Sequence, residues 1–256
     1  MLTPLHDPTP TRAARLAGVA YVALFALAIF ANFFVRVRLV DPGDATTTFE
    51  NLASDEGLLR LALVAFLAVF VLDVVVAWAL HHVLRPAGVA ISALAAWFRV
   101  VSAVFLGMAS VFLFVVLELL DGGAPLAGLG RAPREVGAVL ALGAFNATWL
   151  IGLVSFGIHL VLVGVILVRS AMAPRVLGAL LAVAGVAYVL DTGAYSLLGT
   201  YADHEAAFTA MVAIPSVAAE LWFTGWLLSL GRRRRRPPAV VSAAVPVPAG
   251  LAPGPA

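Results

Sequence analysis

Apolar residues fall along this chain in six long runs, at about 16–35, 58–84, 87–117, 139–168, 174–198 and 206–230. Each reaches or exceeds the roughly 18–20 residues that a helix needs to cross the hydrocarbon core of a bilayer. None shows the short alternating pattern of a membrane β-strand, so every run is predicted as a helix whose backbone groups bond within the segment. The connections around Arg85-Pro86 and Ala171–Pro174 are tight, which makes spans two and three, and spans four and five, antiparallel hairpins. The expected fold is all-α: a polytopic integral membrane protein, a six-transmembrane-helix bundle over residues 12–231. Residues 1–11 and 232–256 carry no periodic apolar pattern and are expected to be disordered tails, the second of them basic and Pro/Ala-rich.

Two connections carry more content. Thr47-Thr48-Phe49-Glu50 fits a capping box, so a short helix is expected in the first long loop, Val40–Gly57. The loop 121–135 holds four glycines and two prolines and is expected to be irregular.

The polar interruptions of the runs are more specific. Asp73, Arg99, His159, Asp191 and Glu220 lie inside them, and Arg60 lies near the edge of span two. A charge at the centre of a membrane helix costs about 2.5–3.5 kcal/mol even on insertion scales, so such groups face a protein interior, a cavity or one another. Counted from the nearer span ends at about 1.5 Å per residue, Asp73, Arg99, His159 and Glu220 all fall about 15–17 Å deep, close to the midplane. Four helices thus contribute to one polar layer. Thr148, Gly152, Ser155 and His159 form one small polar stripe, and Thr209, Ala213, Ser216, Glu220 and Thr224 form another, with Pro215 expected to kink that helix. Gly178, Ala182 and Gly185 offer a face for close helix packing. Asp191 lies nearer the opposite surface, at the height of Arg60, which is its expected partner.

Two readings of the mid-depth layer follow. In one, Arg99 pairs with Asp73 or Glu220 and locks the register of the bundle. In the other, the layer floors a cavity where carboxylates and His159 exchange protons or hold a polar ligand, since histidine has the most suitable unperturbed pKa.

Composition narrows the chemistry. The chain has no cysteine and no lysine, which excludes disulfides, thiolate chemistry and Schiff bases. His159 is the one histidine deep within a span, His81 and His82 standing at the inner end of span two, which leaves a membrane haem without two apposed axial ligands; no hydrolase, zinc-protease or phosphate-loop motif is present. No cofactor, metal or nucleic-acid partner is expected, and catalytic residues are unassigned. With both termini inside, ten arginines lie on the inner side and four on the outer, which places both ends in the cytoplasm of a bacterial cell membrane. The run Arg232–Arg236 follows the last span and suits anionic lipid head groups.

Short segments along the chain complete the picture: RLAGVAY at 15–21, VDPGDA at 40–45, LRL at 59–61, VLD at 71–73 and WFR at 97–99. FGIHL at 156–160, PRVLG at 174–178, YVLD at 188–191 and AEL at 219–221 continue the series. In this order they resemble the bacterial multi-pass membrane family of domain of unknown function 4386. The resemblance covers about 12–231 and implies the architecture but no activity.

The reading carried forward is a small transporter or permease-like protein handling a proton, ion or small polar solute. Glu220 and His159 are its proton-handling pair, Arg99 the fixed countercharge and Asp73 its partner or a second acceptor. The alternatives are an intramembrane lipid-modifying enzyme using acid/histidine chemistry, and a non-catalytic accessory protein.

Overall fold

The computed structural model describes residues 9–41, 43–126 and 128–232. The first span, α1, runs from Pro10 to Leu39 and is longer than its apolar run at both ends. Proline at its first position starts the helix without losing a hydrogen bond, so Pro10 and Thr11 belong to α1 and not to a tail. Over Phe30–Arg36 the helix widens to π geometry before ending. The short surface helix α2 spans Ala45–Ser54. The remaining spans are α3 (Glu56–Leu84), α4 (Val89–Asp121), α5 (Arg131–Ser170), α6 (Arg175–Leu197) and α7 (Glu205–Arg232). The protein is a six-helix membrane bundle. Arg233–Arg236, most of the basic run, lie outside the described residues.

Two local expectations need correction. The cap of α2 is Asp44 and not Thr47: its carboxylate accepts the Thr47 amide at 2.9 Å and the Thr47 hydroxyl at 2.9 Å. A charged acceptor at a helix N-terminus outcompetes a hydroxyl. These bonds hold the Asp44 carboxyl below its usual range. Its contribution is therefore fully present above the ordinary aspartate pKa and lost as pH falls through the depressed folded value. We expect α2 amides to lose protection, relative to their intrinsic exchange rates, below about pH 4, and Asp44→Ala to produce the same fraying at neutral pH, both read by hydrogen exchange.

The loop predicted over 121–135 is shorter than expected, because α5 already begins at Arg131. At 40 residues this helix is about 60 Å long, twice the hydrocarbon thickness, so its first turns stand clear of the membrane. There they seat α2: Thr46 donates to Glu135 at 3.1 Å, and Arg131 bridges Glu50 at 2.5 Å and Glu135 at 2.6 Å.

Each span packs against its neighbours in sequence, and α7 returns to α1, so the six spans close into a ring. Arg15 donates to the Gly231 carbonyl at 3.1 Å across the closing seam, which puts the two ends of the bundle on one face. The α5–α6 seam is a close backbone approach. Gly157 faces Gly185 and Gly164 faces Gly178, each glycine set against the carbonyl of its partner. The expected small face of span five meets an equally small face on span four.

Candidate functional site

Five helices bring side chains to one level inside the ring. Asp73 comes from α3, Arg99 from α4, His159 from α5 and Glu220 from α7, and Tyr21 of α1 joins them. All five stand ten to twelve residues from the helix end on the face bearing the termini, which is about 15–18 Å at 1.5 Å per residue.

Arg99 organises the layer. It is 2% exposed. Its guanidinium donates to Asp73 at 2.5 Å and to the Tyr21 hydroxyl at 2.6 Å, and it meets His159 Nε2 at 3.3 Å. It also lies 4.7 Å from the Tyr21 ring centroid and 5.3 Å from that of Phe156. Its Nε–H is buried without a partner among the described residues. Sequence reading missed Tyr21 as a member of the layer, although its depth, eleven residues into α1, was the signal that would have included it.

The contacts of His159 fix its tautomer. Its Nδ1 lies 2.8 Å from the Ala95 carbonyl, which only accepts, so Nδ1 carries the hydrogen. Nε2 then accepts from Arg99, which only donates. Both ring nitrogens are engaged, and His159 is 1% exposed. The structure thus does not join His159 to Glu220, the pair expected to handle protons together. Arg99 takes the place beside the imidazole.

Glu220 stands differently. It is 8% exposed, within electrostatic reach of Arg99 and Asp73, yet its side chain makes no hydrogen bond or ion pair among the described residues. It faces a cavity of about 190 Å³ that all six spans line. Asp73, Arg99, Tyr21 and Glu220 form one end. From there the walls climb away from the termini, along Leu24, Ala28 and Asn32 of α1 and Trp149 and Leu153 of α5. Phe66 and Val69 of α3 and Ser102 and Leu106 of α4 line the same upper half. The result is an apolar, partly aromatic chamber on a charged floor. His159 is not among its walls.

Of the α7 residues only Glu220 lines the chamber, and the first half of α7 is largely exposed; Thr209 and Ala213 of the predicted polar stripe face outward, whereas Ser216, Glu220 and Thr224 are buried. Pro215 sits inside the helix at the change. Beyond Asn32, Arg36 donates to Asn146 at 2.9 Å and ties α1 to α5 across the ring.

The expected Arg60–Asp191 pair does not form. Arg60 bridges Glu56 at 2.6 Å and Asp121 at 3.6 Å, while Asp191 accepts from the Tyr201 hydroxyl at 2.9 Å. Equal height was a poor guide here, because α3 packs on α1 and α4, whereas α6 packs on α5 and α7. No group of three or more potential metal ligands occurs among the described residues.

Fold and chamber together define a multi-pass membrane protein built as a closed ring of six helices around a polar mid-depth layer. The chain belongs to the family described as domain of unknown function (DUF4386), whose profile matches residues 16–231. It is also similar to an uncharacterized protein of Archaeoglobus fulgidus, 28% identical over 172 residues, covering 67% of this chain and 85% of that protein. No solved structure matches.

Proposed function

We propose that this protein is a small permease-like carrier, set in the cytoplasmic membrane with both termini inside, that handles a proton or a small polar solute at its mid-membrane chamber. The observation that carries the reading is the state of Glu220, a buried carboxyl group that lines the chamber and makes no side-chain hydrogen bond or ion pair among the described residues. An unpaired acid at this depth is costly, and such groups in membrane proteins mark ion and substrate paths. Arg99 and Asp73 serve as the fixed pair that frames the site, and Glu220 is the group that exchanges. Pro215, five residues before Glu220, separates the first half of α7, which buries no residue, from the second half, which buries one face, and is a suitable hinge. The arginine balance, ten on the side of the termini against four, supports the orientation. Arg232–Arg236 would hold anionic lipids there. The lipid-enzyme alternative is weakened by His159, which does not line the chamber and whose two nitrogens are occupied by the Ala95 carbonyl and Arg99.

The test is proton flux into vesicles reconstituted with purified protein under an imposed pH gradient. Wild type is expected to carry protons above the rate of empty vesicles. Glu220→Gln is expected to fall to that background, and Asp44→Ala to retain the wild-type rate. Flux unchanged in Glu220→Gln, or no flux in wild type across a panel of small solutes, would remove the reading.

A further inference from the structure

Three charged groups floor the chamber, and two of them, Arg99 and Asp73, are already paired with each other. The terminal nitrogens of Arg99 are bound to Asp73, the Tyr21 hydroxyl and His159, and its charge is already paired with Asp73; its buried Nε–H, without a partner among the described residues, is a single donor and a weak claim on an anion. Any anion on the floor would also meet Glu220 and Asp73. A neutral solute would satisfy one lone pair of Glu220 and leave its charge uncancelled. A cation cancels that charge outright.

The kind of cation follows from the walls. Calcium and magnesium need about six oxygen ligands and zinc about four protein ligands or three with water, whereas no group of three potential metal ligands occurs among the described residues and the chamber offers one unengaged carboxylate in a mainly apolar and aromatic lining. Aromatic faces attract organic cations, and Phe25, Phe66, Trp149 and Phe156 all line the space. Size completes the description. Cavities of about 150 Å³ accept a benzene-sized body, and this one measures about 190 Å³.

We propose that the chamber binds a small lipophilic monocation, a protonated amine on a single-ring or comparable aliphatic body, with Glu220 as its counter-ion. This rests on the carrier reading and names its solute class. The ammonium sits on Glu220, between the floor and the aromatic walls, and the apolar body rises toward Ala28 and Trp149. The largely exposed first half of α7 adds no side chain to the walls. An amine dissolved in the half of the membrane away from the termini would enter beside it.

Three ligands with one ring and different charge test this: benzylamine, benzyl alcohol and benzoate, titrated calorimetrically into the full chain in detergent and corrected for empty micelles. Benzylamine is expected to bind, benzyl alcohol about tenfold or more weakly, and benzoate not measurably. Glu220→Gln should erase the preference for the amine over the alcohol. Ala28→Trp, which fills the chamber and leaves Glu220 in place, should abolish binding of all three, with the fold of both variants checked by melting temperature. Benzoate binding as tightly as benzylamine, an unchanged amine affinity in folded Glu220→Gln, or no binding of any ligand would overturn the proposal. Glu220-dependent proton flux without amine binding overturns the solute class and leaves the carrier. Amine binding that depends on Glu220, without any flux, supports the site and removes transport.

Discussion

Arg99→Ala is expected to destabilise the protein by about 3–5 kcal/mol, the usual effect of removing one partner from a buried ion pair. The reason is what stays behind. Asp73 would keep a carboxylate at mid-membrane depth with its 2.5 Å partner gone, and Tyr21 and His159 would each lose a bond to the same guanidinium. For a chain of this size that corresponds to a fall of roughly 6–20 °C in melting temperature in detergent. The pair itself contributes less than its removal costs, because bringing both charges out of water offsets most of their attraction. Combining Asp73→Asn with Arg99→Leu should therefore recover most of the loss. A double variant as unstable as Arg99→Ala would mean that the Tyr21 and His159 bonds matter more than the ion pair.

Gly164→Val is expected to cost more than about 3 kcal/mol, beyond the usual range for overpacking a core, and to separate α5 from α6. A Cβ on Gly164 would sit 2.5 Å from the Gly178 carbonyl and 3.0 Å from the Ala182 Cβ. The obstacle is backbone, which cannot turn aside as a long side chain can. Gly164→Ala should cost about 1–3 kcal/mol for the same contact, less up to about 1 kcal/mol returned by better helix propensity. Gly143, on the same helix, has nothing within 4 Å of its Cβ position, so Gly143→Ala should be neutral or stabilising. Thermal unfolding of the three variants side by side checks the contrast. Equal effects at Gly143 and Gly164 would contradict the packing assigned to this seam.

What was legible beforehand depended on periodicity and depth. Six apolar runs were enough for the six spans, because in hydrocarbon a helix must satisfy its own backbone. Counting residues from span ends placed Asp73, Arg99, His159 and Glu220 at one level, and the structure gathers them around Arg99. Depth could not supply azimuth or neighbour order. That is why Arg60 was paired with Asp191 across helices that do not adjoin, and why His159 was paired with Glu220 when Arg99 already held its Nε2. Tyr21 was overlooked because an uncharged phenol raises no alarm in an apolar run. The extensions of α1 and α5 beyond their apolar runs were hidden for a related reason. Pro10, Arg131 and Glu135 are polar or helix-breaking by composition, yet a helix outside the bilayer tolerates them at its first turns.

Glu220 carries the functional account, which holds that Arg99 and Asp73 are architecture while Glu220 is kept unpaired for use. Thermal unfolding of Glu220→Gln beside Arg99→Ala, in one detergent at neutral pH, separates the two roles. A group retained against stability should not be missed when its charge is removed, so the expected melting temperature of Glu220→Gln equals or exceeds that of wild type. A fall as steep as that of Arg99→Ala would place Glu220 in the structural network and contradict the account.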